Sequence, residues 1–312
     1  MADRETAAQG TPRVLFIAGW GRSGTTIIDN VLNAHPGVFS AGELHYLWER
    51  GLIYGRKCGC GEPVAACRTW QDILDVAYGG HPPHPRAVYR LQREVIRVRR
   101  THRLWLRPLP AAAQEYAEVL APLYPAVAEV TGARVVVDSS KVPAAAALLR
   151  HVSGIDPWLL HVVRDPRAVA NSWRRPTAKL DGSPTVMTPQ SPRLSTARWL
   201  GWNAYIEATA AGYGEHGLRM RYEDFAADPR TEIARVLAAV GIPAGSGPFL
   251  DGHTAVLKPN HTVSGNPSRF RVGPVPIRPD EGWRTGLPAS SRRLVTALAM
   301  PMLLRYGYRV RG

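Results

Sequence analysis

The chain has 312 residues, of which 45% are hydrophobic and 21% are charged. This composition is ordinary for a globular protein and argues against general disorder. The sequence itself contains no run of about 18 apolar residues that would span a bilayer. The net charge of +14 favours an anionic partner, but charge alone does not separate nucleic acid, a membrane surface and a polyanionic cofactor.

Residues 1–12 predict a flexible tail, and residues 13–312 predict a single domain. The tail lacks the basic start and the apolar centre of a signal peptide. We therefore expect a cytoplasmic protein.

Apolar, β-branched segments alternate with segments of helical periodicity along the chain. Strands are predicted at residues 14–18, 134–138, 158–163 and 218–222. Helices are predicted at residues 25–34, 113–130, 143–152, 166–174, 194–211 and 229–240. The first three strands are almost continuously hydrophobic, which is typical of buried parallel strands, so we predict a three-layer α/β/α domain around a central parallel sheet.

Three further regions interrupt this alternation. Residues from about 60 to 130 predict a variable helical insert within the domain. Two irregular segments, 174–193 and 243–288, are long for connections inside a compact domain. Loops of such length often cover a binding site, so we expect both to close an active site.

The first strand leads into the sequence GWGRSGTT, at residues 19–26. It nearly matches the phosphate-binding motif G-x-x-x-x-G-K-[ST], with Thr25 in the lysine position. Amides of residues 22–26, at the start of a helix, would bind a phosphate. Arg22 would supply the charge, and its planar guanidinium suits a doubly contacted oxyanion better than a magnesium-bridged triphosphate. The loop therefore predicts a single phosphate that carries a small group.

Two motifs resemble those of sulfotransferases that use 3′-phosphoadenylyl sulfate (PAPS). The run RSGTT…LNAHPGVFSAGE is similar to their 5′-phosphosulfate loop and the helix after it, and is most similar to the carbohydrate and tyrosylprotein branches. In VVRDPRAVANSW, Arg164 ends a strand and Ser172 follows eight residues later, as in the pair that binds the 3′-phosphate in that family. Weaker similarity covers VVVDSSKVP, LRMRYEDF and HTVSGNPSRFR. The resemblance implies the sulfotransferase fold, which is like that of P-loop nucleotide triphosphatases.

The resemblance also implies a role for each matching residue. The catalytic set would be Glu43 as the general base, with Lys141 and Arg22 contacting the sulfuryl group. Arg269 and Arg271 would belong to a basic loop over the 3′-phosphate and adenine. The full set that would bind the cofactor is Arg22, Ser23, Gly24, Thr25, Thr26, Arg164, Ser172, Arg269 and Arg271.

Two of these residues have simpler structural interpretations. Ser40 and Glu43 form the pattern S-x-x-E of a capping box, ahead of a predicted helix at residues 44–50. Arg164 has the alternative of a salt bridge to Asp165 or to another acid. Asp165 itself is predicted to cap the helix that begins at Pro166.

The function implied is in-line sulfuryl transfer from PAPS to a hydroxyl of a small molecule, glycan or lipid, with no metal required. The partners are then PAPS, its product 3′-phosphoadenosine 5′-phosphate (PAP) and the acceptor. Whether the acceptor is anionic and whether the protein forms a homodimer are both left open. An atypical P-loop kinase or nucleotide hydrolase is the first alternative. A non-enzymatic nucleic-acid-binding protein is the second, although no specific nucleic-acid motif is found.

Two features stay outside this interpretation. Cys58, Cys60 and Cys67 are free thiols, a disulfide pair or part of a metal site that needs a fourth ligand from His45 or a distant histidine. Eight arginines between Arg86 and Arg107 predict one basic amphipathic helix, either a solvated face or a binding surface.

Overall fold

The computed structural model describes residues 10–178, 186–243, 245 and 247–310. Its centre is a five-stranded sheet in which all neighbouring strands are parallel. In order across the sheet, the strands are β2 (Val38–Gly42), β3 (Val135–Lys141), β1 (Arg13–Ala18), β4 (Asp156–Val163) and β7 (Gly217–Arg221).

The central strand β1 is buried on both faces. Val14, Phe16 and Ala18 pack into one hydrophobic cluster, and Leu15 and Ile17 pack into another on the opposite face. Since side chains alternate between the faces of a strand, each face of the sheet needs its own layer of helices. The predicted three-layer α/β/α architecture is confirmed.

Helices cover both faces of this sheet. They are α1 (Thr25–Asn33), α2 (Arg68–Tyr78), α3 (Pro85–Val95), α4 (Ala111–Leu120), α5 (Leu123–Thr131), α6 (Pro143–Leu149), α7 (Pro166–Trp173), α8 (Pro192–Ala210), α9 (Tyr222–Ala227), α10 (Pro229–Ala239), α11 (Trp283–Gly286) and α12 (Ala289–Arg305). Two short antiparallel pairs join β5 (Thr177–Ala178) to β6 (Val186–Met187) and β8 (Thr254–Leu257) to β9 (Gly273–Pro276).

Each of the four predicted strands is present, within a few residues of the expected bounds. The predicted helix at 113–130 is instead two helices, α4 and α5, with Pro122 at the junction. Proline has no backbone N–H and so cannot continue the hydrogen-bond ladder of α4. Strand β2 was not predicted, because VFSAG is short and three of its five residues are small or polar.

The predicted single basic helix from Arg86 to Arg107 is also wrong. Helix α3 ends at Val95, and Arg97 has an extended backbone with φ −127° and ψ 117°. A 3₁₀ helix, Val98–Leu104, follows it. Six of the eight arginines are therefore divided between two short helices, Arg97 and Arg107 lie outside them, and the eight do not share one helical face.

Within the described ranges, every helix is too short or too polar to span a bilayer. Residues 1–9 of the predicted tail and residues 179–185 of the predicted loop at 174–193 lie outside the described residues.

Candidate active site

The carboxyl ends of the parallel strands converge on one edge of the sheet. β1 leads into the loop that contains Arg22, β2 into Glu43, β3 ends at Lys141, and β4 leads into Arg164. Strands β3 and β4 lie on opposite sides of β1, and such a change of direction opens a crevice at the carboxyl ends of the strands. A cleft of about 640 Å³ lies there.

Most of the predicted site residues line this one cleft. They are Arg22, Gly24, Thr25, Thr26, Glu43, Lys141, Arg164 and Ser172. These residues come from positions 22 to 172 of the sequence, and the sheet brings them together.

The loop between β1 and α1 has little room for larger side chains. Gly24 has φ 83°, and a Cβ there would collide with the ring of Tyr222. A Cβ at Gly19 would lie 2.6 Å from the carbonyl oxygen of Val162. The two glycines therefore allow the loop to wrap closely over the start of α1, where unpaired amides bind anions.

Buried polar atoms in this loop are consistent with an anion site. Ser23 is fully buried, and its Oγ has no hydrogen-bond partner among the described residues. Thr25 is also buried. A buried hydroxyl without a partner is costly, and a phosphate oxygen would be a suitable acceptor for it.

Arg22 lies against an aromatic wall. Its guanidinium carbon is 5.3 Å from the ring centroid of Trp173, and Trp173 Nε1 donates a hydrogen bond of 3.1 Å to the carbonyl oxygen of Gly21. Burial lowers the pKa of Arg22 from its ordinary value. Desolvation strengthens the attraction of this cation for an anion in the cleft.

Glu43 and Lys141 form an ion pair at the floor of the cleft. Lys141 Nζ donates to Glu43 Oε1, and it also donates to the carbonyl oxygen of Ser139 at 3.1 Å. Only 13% of the Glu43 side chain and 15% of the Lys141 side chain are exposed. Glu43 thus presents a carboxylate, oriented by Lys141, to the cleft.

The capping box predicted for Ser40 and Glu43 is not formed. Ser40 lies within β2, where its Oγ donates to Asp29 and accepts from the backbone N–H of Gly42. The segment after Glu43 is a 3₁₀ turn followed by a π-helix, Leu47–Ile53, rather than an α-helix. The carboxylate of Glu43 is therefore available for contacts in the cleft.

Three residues that the sequence did not indicate complete the surroundings of Glu43. Arg50 Nη1 lies 4.0 Å from Glu43 Oε2 and donates to Ser264 Oγ at 2.8 Å. Ser264 Oγ is in turn 3.4 Å from Glu43 Oε2. The Arg50 guanidinium stacks on Tyr46, 3.4 Å from the ring centroid. Arg50 follows Glu43 by seven positions, which is two turns of a helix. This spacing was the one feature of the sequence that could have indicated their contact.

Backbone strain is concentrated here. In the described part of the chain, the residues other than glycine that have a left-handed φ are Arg22 at 72°, Lys141 at 70° and Ser264 at 54°. Such conformations cost of order 1–3 kcal/mol each and cluster at functional sites. Two of these residues contact Glu43 directly, and the third belongs to the phosphate-type loop.

Arg164 is held by the loop and by an acidic residue from a distant segment. Its Nη1 donates to the carbonyl oxygen of Arg22 at 2.8 Å, and its Nη2 donates to Asp280 Oδ2 at 2.5 Å. The Arg164 side chain is 8% exposed, whereas that of Asp280 is 45% exposed. Arg164 Nε is buried without a hydrogen-bond partner in the described structure.

Asp165 does not pair with Arg164. Its carboxylate accepts from the backbone N–H of Arg167 and pairs with the Arg167 guanidinium. The predicted cap of α7 is therefore confirmed. The partner of Arg164 is instead Asp280, which lies 116 positions further along the chain.

Arg269 and Arg271, which we predicted to lie in a loop over the 3′-phosphate and adenine, do not line the cleft. Arg269 is buried, and its guanidinium donates to the carbonyl oxygens of Thr262 and Lys57. Arg271 is exposed to solvent. The same segment contributes Gly265, Asn266 and Ser268 to the cleft wall.

Two buried aspartates lie beneath the cleft. Asp29 accepts hydrogen bonds from Ser40 Oγ at 2.5 Å and Ser139 Oγ at 2.9 Å. Asp138 accepts from Tyr124 at 2.8 Å. Burial raises the pKa of each aspartate to about 6, although the hydroxyl hydrogen bonds oppose this effect.

Comparison with known proteins gives one family match and similar solved structures. The model of the sulfotransferase family matches residues 12–245. The sulfotransferase domain of the olefin synthase from Synechococcus PCC 7002 aligns with a TM-score of 0.52 and 20% identity, over 94% of this chain and 95% of that domain. The sulfotransferase domain of the curacin biosynthetic pathway aligns with a TM-score of 0.49 and 17% identity, over 96% of this chain and 99% of that domain. A search of curated protein sequences found no match.

Proposed function

The chain belongs to the sulfotransferase family, and we propose that it transfers a sulfuryl group from PAPS to the hydroxyl group of an acceptor. The observation that carries this proposal is the convergence of a phosphate-type loop, a paired carboxylate and four cations on one cleft. The cations are Arg22, Arg50, Lys141 and Arg164, and the carboxylate is Glu43.

The donor would bind with its 5′-phosphosulfate at the loop before α1. Gly24 and the buried Thr25 bring backbone amides to the start of the helix, and Arg22 adds a fixed positive charge. The orphaned Oγ of Ser23 would gain an acceptor. This arrangement suits a phosphate whose charge is met by arginine rather than by a magnesium ion.

Arg164 and Ser172 would bind the 3′-phosphate. Arg164 is almost entirely buried and has a free Nε donor in the described structure. Its pairing with the half-exposed Asp280 supplies a carboxylate where a phosphate group would bind. We propose that Asp280 leaves Arg164 when the donor binds, so the two anions compete for one guanidinium.

Glu43 would act as the general base. The acceptor oxygen forms a bond to sulfur as the sulfur–oxygen bond to the 5′-phosphate breaks, and the acceptor proton passes to the Glu43 carboxylate. Lys141 and Arg22 would stabilise the charge that develops on the sulfuryl oxygens and on the leaving phosphate. Catalysis would then rest on positioning and on fixed charges, with no covalent enzyme intermediate.

The acceptor would enter along an aromatic wall of the cleft, formed by Trp20, Tyr46, Trp173 and Trp202. A second depression, of about 530 Å³, begins at His45, the neighbour of Tyr46. Arg93, Arg97 and Arg99 line it. These cations support an acceptor that carries negative charge, such as an acidic glycan, lipid or small molecule.

A transfer assay tests the proposal. The protein is incubated with PAPS and pools of glycan, lipid and small-alcohol acceptors, and PAP and sulfated products are measured by mass spectrometry. We expect a sulfated product with the wild type and about 10²–10⁴-fold slower product formation with Glu43→Gln. Hydrolysis of ATP with magnesium, while PAPS stays intact in every pool, would count against the proposal.

A further inference from the structure

A cluster of four metal-binding side chains lies outside the cleft. One ligand atom from each of Cys58, Cys60, Cys67 and His261 lies within 4.8 Å of the other three. The three thiols come from one short segment, whereas His261 follows Cys67 by 194 positions. His45, which the sequence offered as a fourth ligand, is not in this group.

The spacing within the cluster fits a tetrahedral zinc ion. Bonds of about 2.3 Å to sulfur and about 2.0–2.1 Å to nitrogen give tetrahedron edges of about 3.8 Å between two sulfurs and about 3.6 Å between sulfur and nitrogen. Cys60 Sγ lies 3.8 Å from Cys67 Sγ. His261 Nδ1 lies 3.9 Å from Cys58 Sγ and 3.3 Å from Cys67 Sγ.

A disulfide does not fit the same spacing. The sulfurs of a disulfide are about 2.05 Å apart, and all three cysteines are free in the structure. A disulfide would not require a histidine beside the three thiols, whereas a closed zinc site needs a fourth ligand, which His261 can supply.

The backbone around the cluster is already organised for a metal. Cys58 N donates to the carbonyl oxygen of Glu62 at 2.7 Å, and Gly61 N donates to that of Cys58 at 2.9 Å, so the first two thiols lie on a tight turn. A Cβ at Gly59 would collide with the side chain of Asn260, so this turn packs directly against the segment of His261.

The histidine is also oriented by its neighbours. Its Nε2 lies 3.4 Å from Thr69 Oγ1, which leaves Nδ1 facing the thiols. Trp70 Nε1 donates to the carbonyl oxygen of His261 at 2.7 Å. Metal-bound histidines typically donate their second ring N–H to a neighbouring oxygen, which fixes the ring. For His261 that oxygen would be Thr69 Oγ1.

We propose that Cys58, Cys60, Cys67 and His261 bind one structural zinc ion. Four protein ligands close the tetrahedron and leave no position for a substrate, so the ion would stabilise the fold rather than take part in catalysis.

The position of the site shows what the ion would stabilise. Val263, two residues after His261, pairs with Cys58 and with Gly42 at the end of β2. Glu43 N donates to the carbonyl oxygen of Val263 at 2.8 Å, and Ser264 contacts the Glu43 carboxylate. The zinc ion would therefore cross-link two segments. One carries the three cysteines, and the other runs from His261 to the cleft residues Gly265, Asn266 and Ser268.

The test is the metal content of the full chain after purification without chelators from zinc-supplemented cells. Elemental analysis should give about one zinc per wild-type chain, and a cobalt-exchanged sample should absorb in the near ultraviolet through thiolate-to-cobalt charge transfer. His261→Ala should lose the zinc. His253→Ala, which changes an exposed histidine outside the cluster, should keep it.

Loss of a structural metal can unfold a chain, so Cys60→Ser provides a second variant, at the exposed ligand. It should stay folded by circular dichroism in excess zinc and should release the ion to EDTA much faster than the wild type. A wild type without zinc, a wild type with iron in its place, a Cys60–Cys67 disulfide, or unchanged zinc retention in His261→Ala would each overturn the proposal. None of these results depends on the transferase activity.

Discussion

Lys141 Nζ donates a hydrogen bond to the Glu43 carboxylate across the carboxyl ends of β3 and β2, two neighbouring parallel strands. Both side chains are mostly buried. Because each charge is the principal partner of the other, removal of either leaves a charge with poor solvation in the cleft. This pair is the centre of the proposed chemistry, and several consequences can be measured.

Glu43→Gln removes the proposed base but keeps the shape of the side chain. We expect the turnover number for sulfuryl transfer to fall about 10²–10⁴-fold, the usual contribution of a general base. Affinity for PAP, measured by calorimetry, should be nearly unchanged because Glu43 contacts the acceptor side of the cleft in this mechanism. Glu232→Gln is the matched control, since Glu232 pairs with Arg235 at 2.7 Å and lines neither the cleft nor the second depression. Equal loss of activity in both variants would argue against a base at Glu43.

Arg164→Ala should weaken binding selectively for nucleotides with a 3′-phosphate. Loss of charged hydrogen bonds to that group costs about 1.5–3 kcal/mol, or roughly 10- to 150-fold in affinity. Adenosine 5′-phosphosulfate, which lacks the 3′-phosphate, should bind the variant and the wild type alike. A calorimetric comparison of the two nucleotides checks this, and a similar loss for both would contradict the assignment.

Asp280→Asn should improve the affinity for PAP. The Asp280 carboxylate occupies Arg164 in the structure, and it is substantially exposed, so we expect a gain of only about 2- to 5-fold. Glu281→Gln is the control, because Glu281 pairs with Arg284 instead. If Asp280→Asn weakens PAP binding, the carboxylate does not compete with the 3′-phosphate.

Arg269→Met should lower the free energy of unfolding by about 2–4 kcal/mol, because it leaves the carbonyl oxygens of the buried Thr262 and of Lys57 without their donor. Arg271→Met, at an exposed position, should change it little. Urea denaturation of both variants measures the difference. If the two variants are equally stable and only Arg269→Met loses PAP binding, the result would instead support the contact between Arg269 and the nucleotide that the resemblance implied.

The pH dependence of stability should reveal Asp29. Its pKa is raised to about 6 in the folded protein, from 3.8, so the folded state binds the proton more tightly than the unfolded state does. Its contribution to the free energy of unfolding is therefore full below about pH 4 and is lost as the pH rises through about 6, by about 3 kcal/mol in total. Asn at this position does not titrate. Urea denaturation gives the free energy of unfolding of the wild type and of Asp29→Asn, and the difference between the two should change with pH in this way. A difference that is constant from pH 4 to 7 would exclude the raised pKa of Asp29.

Sequence-local features of the site were predictable. The loop after β1 could be found because strand, turn and helix are encoded by neighbouring residues, and parallel strands bring their carboxyl ends together. The Arg164–Ser172 motif was found through its resemblance to the family. The structure supports this convergence for residues as distant as Arg22 and Arg164.

Contacts between distant segments were not predictable in the same way. Asp280 reaches Arg164, Ser264 reaches Glu43, and His261 reaches the cysteines, each over more than 100 positions. These three come from the irregular segment 243–288, which lacks the periodicity that predicts position. Arg269 lies in the same segment, and nothing in the neighbouring sequence indicates that its side chain is buried and donates to carbonyl oxygens.

The most direct test of PAPS-dependent sulfuryl transfer is a calorimetric titration of the wild type with PAP and with ATP–Mg²⁺, repeated in EDTA. We predict that PAP binds more tightly than ATP and that its affinity is the same with and without EDTA during the titration, since arginines and loop amides rather than a divalent metal hold the phosphates. Tighter binding of ATP–Mg²⁺, abolished by EDTA, would contradict the proposed function and favour a P-loop kinase or nucleotide hydrolase.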